Sequence, residues 1–300
     1  MMATLRSLLK AIVPPFLWLA AKTLLTRKRQ QLPELELCPY GFEGHPSRGW
    51  NLARVAASER SRFAAFRSAV DAPAVLAVAH EVDDVGMEFS WAHNLAMSWG
   101  YVLAAAAAGN SRLSVLDWGG GLGHNFLLAR SLWPELALDY CVRDLPEMTK
   151  VGRELLPEVR YVDCDADAFV RRYQLVVASG SMHYAIDWRA QLQALTNAAS
   201  EWLYITRLPT LTNANSYVFV QRVYSLGYDT EYLGWSLNRS EFLAALTQLG
   251  FVLAREFLVD EIAPVENAPE PGRYRGFLFK RAESVVASLG LSSVSASADL

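Results

Sequence analysis

The run Ser114-Val-Leu-Asp-Trp-Gly-Gly-Gly-Leu-Gly-His124 limits the fold of this chain more than any other stretch. An apolar segment, Leu113 to Leu116, feeds the pattern Asp117-x-Gly119-x-Gly121-x-Gly123, and a helical pattern follows from Asn125 to Leu132. That order predicts a strand, a tight turn and a helix. At such a turn, backbone N–H groups and the helix N-terminus face whatever lies above the strand end. Glycine lets a ligand approach the backbone closely, because no Cβ stands in the way. The spacing separates two kinds of turn. A dinucleotide-binding Gly-x-Gly-x-x-Gly starting at Gly119 needs glycine at position 124, where this chain has His124. Here the third glycine comes one residue early, and an acid stands two residues before the first.

Beyond the turn, strand-like and helix-like segments alternate. Apolar runs at 113–117, 138–142, 159–162, 175–179, 202–206, 251–258 and 274–279 read as strands. Helical patterns at 124–132, 147–156, 165–172, 188–200 and 240–249 lie between the first six. Alternation of this kind predicts an α/β fold with a mostly parallel sheet covered on both faces. The last two strands are joined by the Pro- and Asn-rich loop Asp260 to Gly272, with no helix, which predicts an antiparallel final pair. The expectation is a Rossmann-like seven-stranded sheet with its last strand antiparallel. Residues 51–109 read as helical throughout, broken near Pro73, and residues 34–110 are expected to form a loop and a helical cap. The α/β domain spans 111–282, with an insertion at 208–239, and the Ser/Ala-rich 283–300 reads as a frayed tail.

Charge is unevenly placed. The first 33 residues carry Arg6, Lys10, Lys22, Arg27, Lys28 and Arg29 with no acid, while the whole chain has a net charge of −3. The remainder is therefore distinctly acidic and a poor match for a nucleic-acid backbone. Lys10, Pro14-Pro15 and Lys22 interrupt the apolar residues of this segment, so no span approaches the ~20 residues needed to cross a bilayer. Two short basic, amphipathic helices over 1–30 suit peripheral contact with an anionic membrane surface. The alternative is an arm packed on the protein's own body or on a second copy in a homodimer. Cys38, Cys141 and Cys164 have no metal-ligand spacing and fit a reducing, cytoplasmic setting. The five histidines form no HxH or HxxxH pair, so no metal site is implied.

The acid and the glycine spacing of the 117–123 turn resemble motif I of the class I S-adenosylmethionine (SAM) methyltransferases. Larger pieces resemble a mainly bacterial methyltransferase family often associated with surface-polysaccharide biosynthesis. They are Pro14-Pro15, Tyr40-Gly-Phe-Glu-Gly44 with Gly49-Trp50, Val115 to Gly121, Ser179-Gly-Ser-Met-His-Tyr184, Thr206-Arg-Leu-Pro209, Gln221, Gly234-Trp235-Ser236 and Arg275 to Arg281. The likeness spans residues 5 to 281. The chain departs at His183, where members often carry Gln. The resemblance implies a seven-stranded sheet, SAM as cofactor and transfer of a methyl group. A hydroxyl of a sugar, a glycan intermediate or a small metabolite is the expected acceptor.

In open α/β sheets ligands sit beyond the carboxyl ends of the strands. The turn glycines Gly119, Gly121 and Gly123 are expected against the cofactor, and the resemblance places Asp117 near the methionine amine. Asp144 follows the second strand, where a carboxylate can accept from both ribose hydroxyls; it can also be an N-cap for the helix near Pro146. Asp165, and after it Asp163, can accept from the adenine amino group, or the two can form a solvated acidic turn. Ser179 and Gly180 are expected along the methionine arm. His183 is placed to take a proton from an acceptor hydroxyl, oriented by Asp187, or simply to position the substrate. Arg207 can clamp an anionic or hydroxyl-rich acceptor, or pair with an acid at the sheet edge. The insertion, rich in Asn, Tyr and Trp, suits an acceptor lid or a dimer contact. Two other readings remain open: a SAM-fold binding protein without turnover, and a nicotinamide-dependent oxidoreductase, which the glycine spacing disfavours.

Overall fold

A computed structural model of the 300-residue chain describes residues 32–43, 49–81, 88–223, 228 and 230–282. The basic arm over 1–30 and the tail 283–300 lie outside the described residues.

The glycine turn sits between β2 (Arg112–Trp118) and α3 (His124–Leu132), as the pattern predicts. The next elements are β3 (Ala137–Arg143), α4 (Pro146–Leu155), β4 (Arg160–Val162), the one-turn α5 (Asp165–Ala168) and β5 (Tyr173–Ser179). They are followed by α6 (Trp188–Ala198), β6 (Ala199–Leu211), α7 (Arg239–Gln248), β9 (Phe251–Ala263) and β10 (Gly272–Arg281). Strand neighbours run β4-β3-β2-β5-β6-β10-β9. The first five are parallel to one another, and β10 is antiparallel to both β6 and β9. The expected antiparallel last strand is therefore present.

The expectation of seven strands needs correction, because the described residues form a sheet of ten. The additional three are β1 (Leu35–Leu37), β7 (Tyr217–Arg222) and β8 (Glu231–Asn238). The segment expected as an insertion pairs with itself: β7 and β8 are antiparallel, and β1 adds to β7. The trio joins the main sheet where Thr210 and Leu211 of β6 pair with Leu237 and Asn238 of β8. The sequence pattern does not reveal β7 and β8 because their tyrosines and amides look like loop composition, although most positions of each strand are buried.

Alternation along each central strand divides the core into two. Val115, Tyr140, Leu175 and Val177 face one side, together with Phe63, Phe66, Trp99, Val102, Leu103 and Phe126. Leu116, Cys141, Val176 and Ala178 face the other, together with Leu192, Leu195, Phe242 and Phe277. Strands buried on both faces need apolar residues at both phases, which explains their unbroken apolar runs. The region 51–109 is helical on both sides of the break near Pro73, but the helical pattern does not extend through residues 72–81. It forms α1 (Ala53–Asp71) and α2 (Ser90–Ala106), with residues 72–81 in irregular structure between them. Both helices share their core with the sheet. No helix among the described residues is long and apolar enough to cross a membrane.

Candidate functional site

A cavity of about 1170 Å³ opens over the carboxyl ends of β2, β3, β5 and β6. One wall is the glycine turn. Gly119, Gly121 and Gly123 all have positive φ, at 72°, 58° and 89°. A Cβ on Gly119 would stand 2.3 Å from Ser181 Cβ, so the turn and the exit of β5 meet with no room for a side chain. Ser181 Oγ donates to the Trp118 carbonyl at 2.7 Å and locks that approach. Gly119 and Gly121 line the cavity, with Gly120 between them. Gly123 does not line it. A Cβ there would meet Leu156 and the Tyr161 hydroxyl at 2.8 Å, so its role is close packing of α3.

Asp117 is also placed differently from the expectation. It is fully buried beneath the turn, away from the cavity lining. Its Oδ2 accepts from the Tyr140 hydroxyl at 2.8 Å and from Asn125 Nδ2 at 3.1 Å. Burial raises its pKa to about 6 against these two hydrogen bonds. It supports the turn from below, and a Cβ on Gly120 would stand 2.6 Å from its Cγ.

Asp144 lines the cavity directly after β3. Its Oδ2 accepts from the Gly121 N–H and its Oδ1 from the Leu145 N–H, each at 2.7 Å. It is not the cap of α4; that position is Leu145, with no side-chain cap. Burial pushes its carboxyl upward, opposed by the two N–H groups. Each oxygen keeps a second acceptor site, so the carboxylate can still receive two hydroxyls. Asp165 lines the cavity, accepts from Trp118 Nε1 at 2.9 Å and pairs with Arg143 Nε at 2.6 Å. Asp163 does not line it; it faces Arg153 at 3.9 Å in an exposed turn. Ser179 and Gly180 line the cavity where β5 ends.

The opposite wall departs further from expectation. His183 sits in a 3-10 turn, Met182–Tyr184, and is 2% exposed. Both its ring nitrogens are buried without a hydrogen-bond partner among the described residues. Burial, then the Arg207 charge, lowers its pKa to about 3. A histidine titrating near neutral pH, as the sequence suggests, is thus not what the fold provides. Asp187 does not orient it. Its carboxylate is the N-cap of α6 and accepts from the Arg189 and Ala190 N–H groups at 3.0 Å. Arg207 does not offer a free clamp. Its Nε meets Glu261 Oε2 at 3.1 Å, it pairs with Glu81, and it stacks 4.4 Å from the Trp91 ring centroid. Burial works against its charge, but Glu81 and Glu261 hold its pKa well above the ordinary value. The sheet-edge pairing alternative therefore describes it. Its φ of 52° is rare for a residue with a side chain.

This wall also gathers Glu59, His80 and His124, to which the sequence gives no role, beside Trp50, Tyr184 and Gln221 of the resembling stretches. Glu59 of α1 is buried, with Oε1 accepting from Arg62 at 2.8 Å and from the Tyr228 hydroxyl. Its Oε2 faces His80 Nδ1 at 3.2 Å. The His80 and His124 rings stack at 4.1 Å and 10°. Burial opposes the charged forms, yet the pairing lowers the pKa of Glu59 and raises that of His80. Burial and the charge on His80 bring His124 down to about 3. Tyr184 donates to Gln221 Oε1 at 2.7 Å, and Trp50 stacks on Tyr232 at 3.7 Å. These side chains come from separate elements, so no spacing rule could collect them. The one local signal was His124, read only as the residue that broke the dinucleotide pattern.

No protein-family model matches the chain, and no curated protein does. Solved structures do resemble it. Magnesium protoporphyrin IX methyltransferase from Synechocystis PCC 6803, with bound SAM, is 14% identical at TM-score 0.45, covering 79% of this chain and all of that one. A 1,6-didemethyltoxoflavin-N1-methyltransferase from Burkholderia thailandensis, with S-adenosylhomocysteine, is 17% identical at 0.44, covering 82% and 99%. Human N-acetylserotonin methyltransferase in complex with SAM is 14% identical at 0.42, covering 64% and 55%.

Proposed function

We propose that the chain is a SAM-dependent methyltransferase acting on a hydroxyl of a sugar, a glycan intermediate or another small metabolite. The observation that carries the reading is Asp144. A carboxylate held by the Gly121 N–H at the end of β3 faces the cavity beside a turn where Gly119 and Gly120 leave no room for a side chain. Such a group matches the two vicinal hydroxyls of a ribose, with Trp118 and Asp165 farther along the same wall for the base. Gly119, Gly180 and Ser179 then border the methionine arm. Asp117 acts from beneath, by holding Asn125 and the turn.

The acceptor side supports a neutral, hydroxyl-bearing substrate. His183, Tyr184 and Gln221 offer uncharged polar groups, and Trp50, Trp91 and Trp99 offer flat apolar faces along the same cavity. The cationic groups of this wall are largely answered by carboxylates within it. SAM brings a sulfonium that is already a good leaving group, so alignment supplies much of the rate. His183, kept neutral, serves as a hydrogen-bond partner that positions the acceptor oxygen. Calorimetry with S-adenosylhomocysteine and with NAD tests the reading. Micromolar binding of the former alone supports it. Binding of NAD alone overturns it in favour of an oxidoreductase. Cofactor binding without methyl transfer to any hydroxylated metabolite from cell extract favours the non-catalytic alternative.

A further inference from the structure

Glu59, His80 and His124 belong to three separate segments, yet one ligand atom from each lies within 4.8 Å of the other two. All three line the cavity. We propose that they form a binding site for a divalent first-row transition ion, of the zinc type, with a coordination position open to the cavity.

Several features of the geometry favour a cation here. The donor set is two imidazoles and one carboxylate, which suits such ions better than magnesium or calcium. Glu59 is already oriented as a ligand. Its Oε1 is occupied by Arg62 and Tyr228, which leaves Oε2 turned toward His80 Nδ1. Outer partners that fix a ligand in this way are a regular part of metal sites. His124 is buried and makes no hydrogen bond among the described residues, while its ring packs against Phe63 and Phe66. A ring without polar partners is available to coordinate.

Glu59, Glu81 and Glu261 face Arg62, Arg207 and the His80 ring, and an ion between the histidines and Glu59 would take the place of the proton that His80 Nδ1 and Glu59 Oε2 share at 3.2 Å. Closing the site takes modest movement. Zinc-ligand bonds of about 2.1 Å place tetrahedral ligands roughly 3.4 Å apart, so side-chain rotation of about an ångström suffices. The stacked rings must tilt out of register, because both cannot point a nitrogen at one ion while parallel. Three protein ligands leave a fourth position for water or a hydroxyl oxygen, whose pKa the ion would lower.

The test uses the full chain, purified without a metal-affinity tag and stripped with a chelating resin. Zn²⁺ is titrated calorimetrically, and bound metal is counted by mass spectrometry after dialysis. One equivalent is expected. Glu59→Gln, His80→Phe and His124→Phe should each weaken Zn²⁺ at least about 100-fold, and Tyr228→Phe, which removes the hydroxyl shared by Glu59 and Arg62, about tenfold. Cys164→Ser should leave binding unchanged. That control matters because Asp163, Cys164 and Asp167 form a second, exposed group with ligand-like spacing. Co²⁺ loading should give visible d–d bands without a thiolate charge-transfer band. Circular dichroism checks folding, and His80→Phe decides the matter if His124→Phe does not fold, since His80 is the more exposed ring. Absence of Zn²⁺ binding tighter than about 100 μM to the wild-type chain overturns the site, as does binding that follows Cys164 or survives His80→Phe. None of these readouts depends on SAM, so the site can fail while the methyltransferase reading stands.

Discussion

The two walls of the cavity are made by different means. The glycine wall comes from one strand, one turn and one helix start, residues 112 to 124, with Asp144 and Ser181 closing in from the next strands. The facing wall collects Glu59, His80, Glu81, His183, Arg207, Tyr228 and Glu261 from six or more parts of the chain. On the first wall, backbone conformation sets the shape and few charges are involved. On the second, position is set by side chains that hold one another, Arg207 to Glu81 and Glu261, Glu59 to Arg62 and Tyr228. A wall of the first kind should fail when backbone is disturbed, and one of the second kind when a charge is left without its partner.

The largest effect should come from Gly119→Ala. Its Cβ has no space beside Ser181, and φ is positive. S-adenosylhomocysteine affinity should fall about 100-fold or more by calorimetry, because strain of a few kcal/mol at the site corresponds to that factor. Retained affinity would show that the turn does not face the cofactor.

Arg207→Ala attacks the other wall. Two carboxylates lose their counter-charge, and breaking a buried pair in this way costs about 3 kcal/mol. Chemical denaturation should register that loss while S-adenosylhomocysteine affinity stays close to wild type. An equal fall in both would mean the walls are coupled rather than separate.

Asp144→Ala follows. Hydrogen bonds to a charged acceptor contribute about 1.5–3 kcal/mol, so cofactor affinity should drop at least about tenfold. A change in stability with affinity intact would reduce Asp144 to a support for the Gly121 N–H.

His183 separates the walls by pH. Its folded pKa of about 3 lies below the usual 6.5, so the unfolded chain takes up its proton first. The stabilisation is present above pH 6.5 and is lost as pH falls from there toward 3. Between pH 7 and pH 5 the wild type should lose about 2 kcal/mol relative to His183→Gln, measured by denaturation at each pH. Turnover should show no inflection near neutral pH that His183→Gln removes. Such an inflection would restore the proton-transfer role.

The smallest effect belongs to Asp187→Ala. Losing an N-cap costs about 1 kcal/mol of stability, and methyl transfer should be unchanged. A large fall in kcat would reconnect Asp187 with His183.

The same contrast explains what could be read from the sequence. The strand–turn–helix at 113–132, the parallel alternation and the antiparallel last pair are local or periodic features, and each stands in the fold. Asp144 and Asp165 could be placed by counting from strand ends. Asp117 and Gly123 could not, because a carboxylate below a turn and one above it look alike in one dimension. Tyr140, which occupies Asp117, belongs to the next strand. For His183 the sequence indicates the position but not the charge state, because its surroundings, Phe219, Tyr274 and Arg207, arrive from β7, β10 and β6. The Glu59–His80–His124 group had no spacing to betray it.

The junction between β6 and β8 has a consequence for how the protein can change. β6 gives its first half to the parallel sheet and keeps only Thr210 and Leu211 for β8, with the left-handed Arg207 marking the changeover. Backbone pairing ties the outer hairpin to the main sheet by two rungs, while Leu237, Trp235 and Gln221 seat its side chains against the domain. A hairpin of other length can be exchanged beyond that splice without resetting the register of the strands that lead to Ser179 and Gly119, provided those side-chain contacts are kept. For an engineer, it is the natural cut site at which to graft a new selectivity beside an unchanged glycine-turn wall.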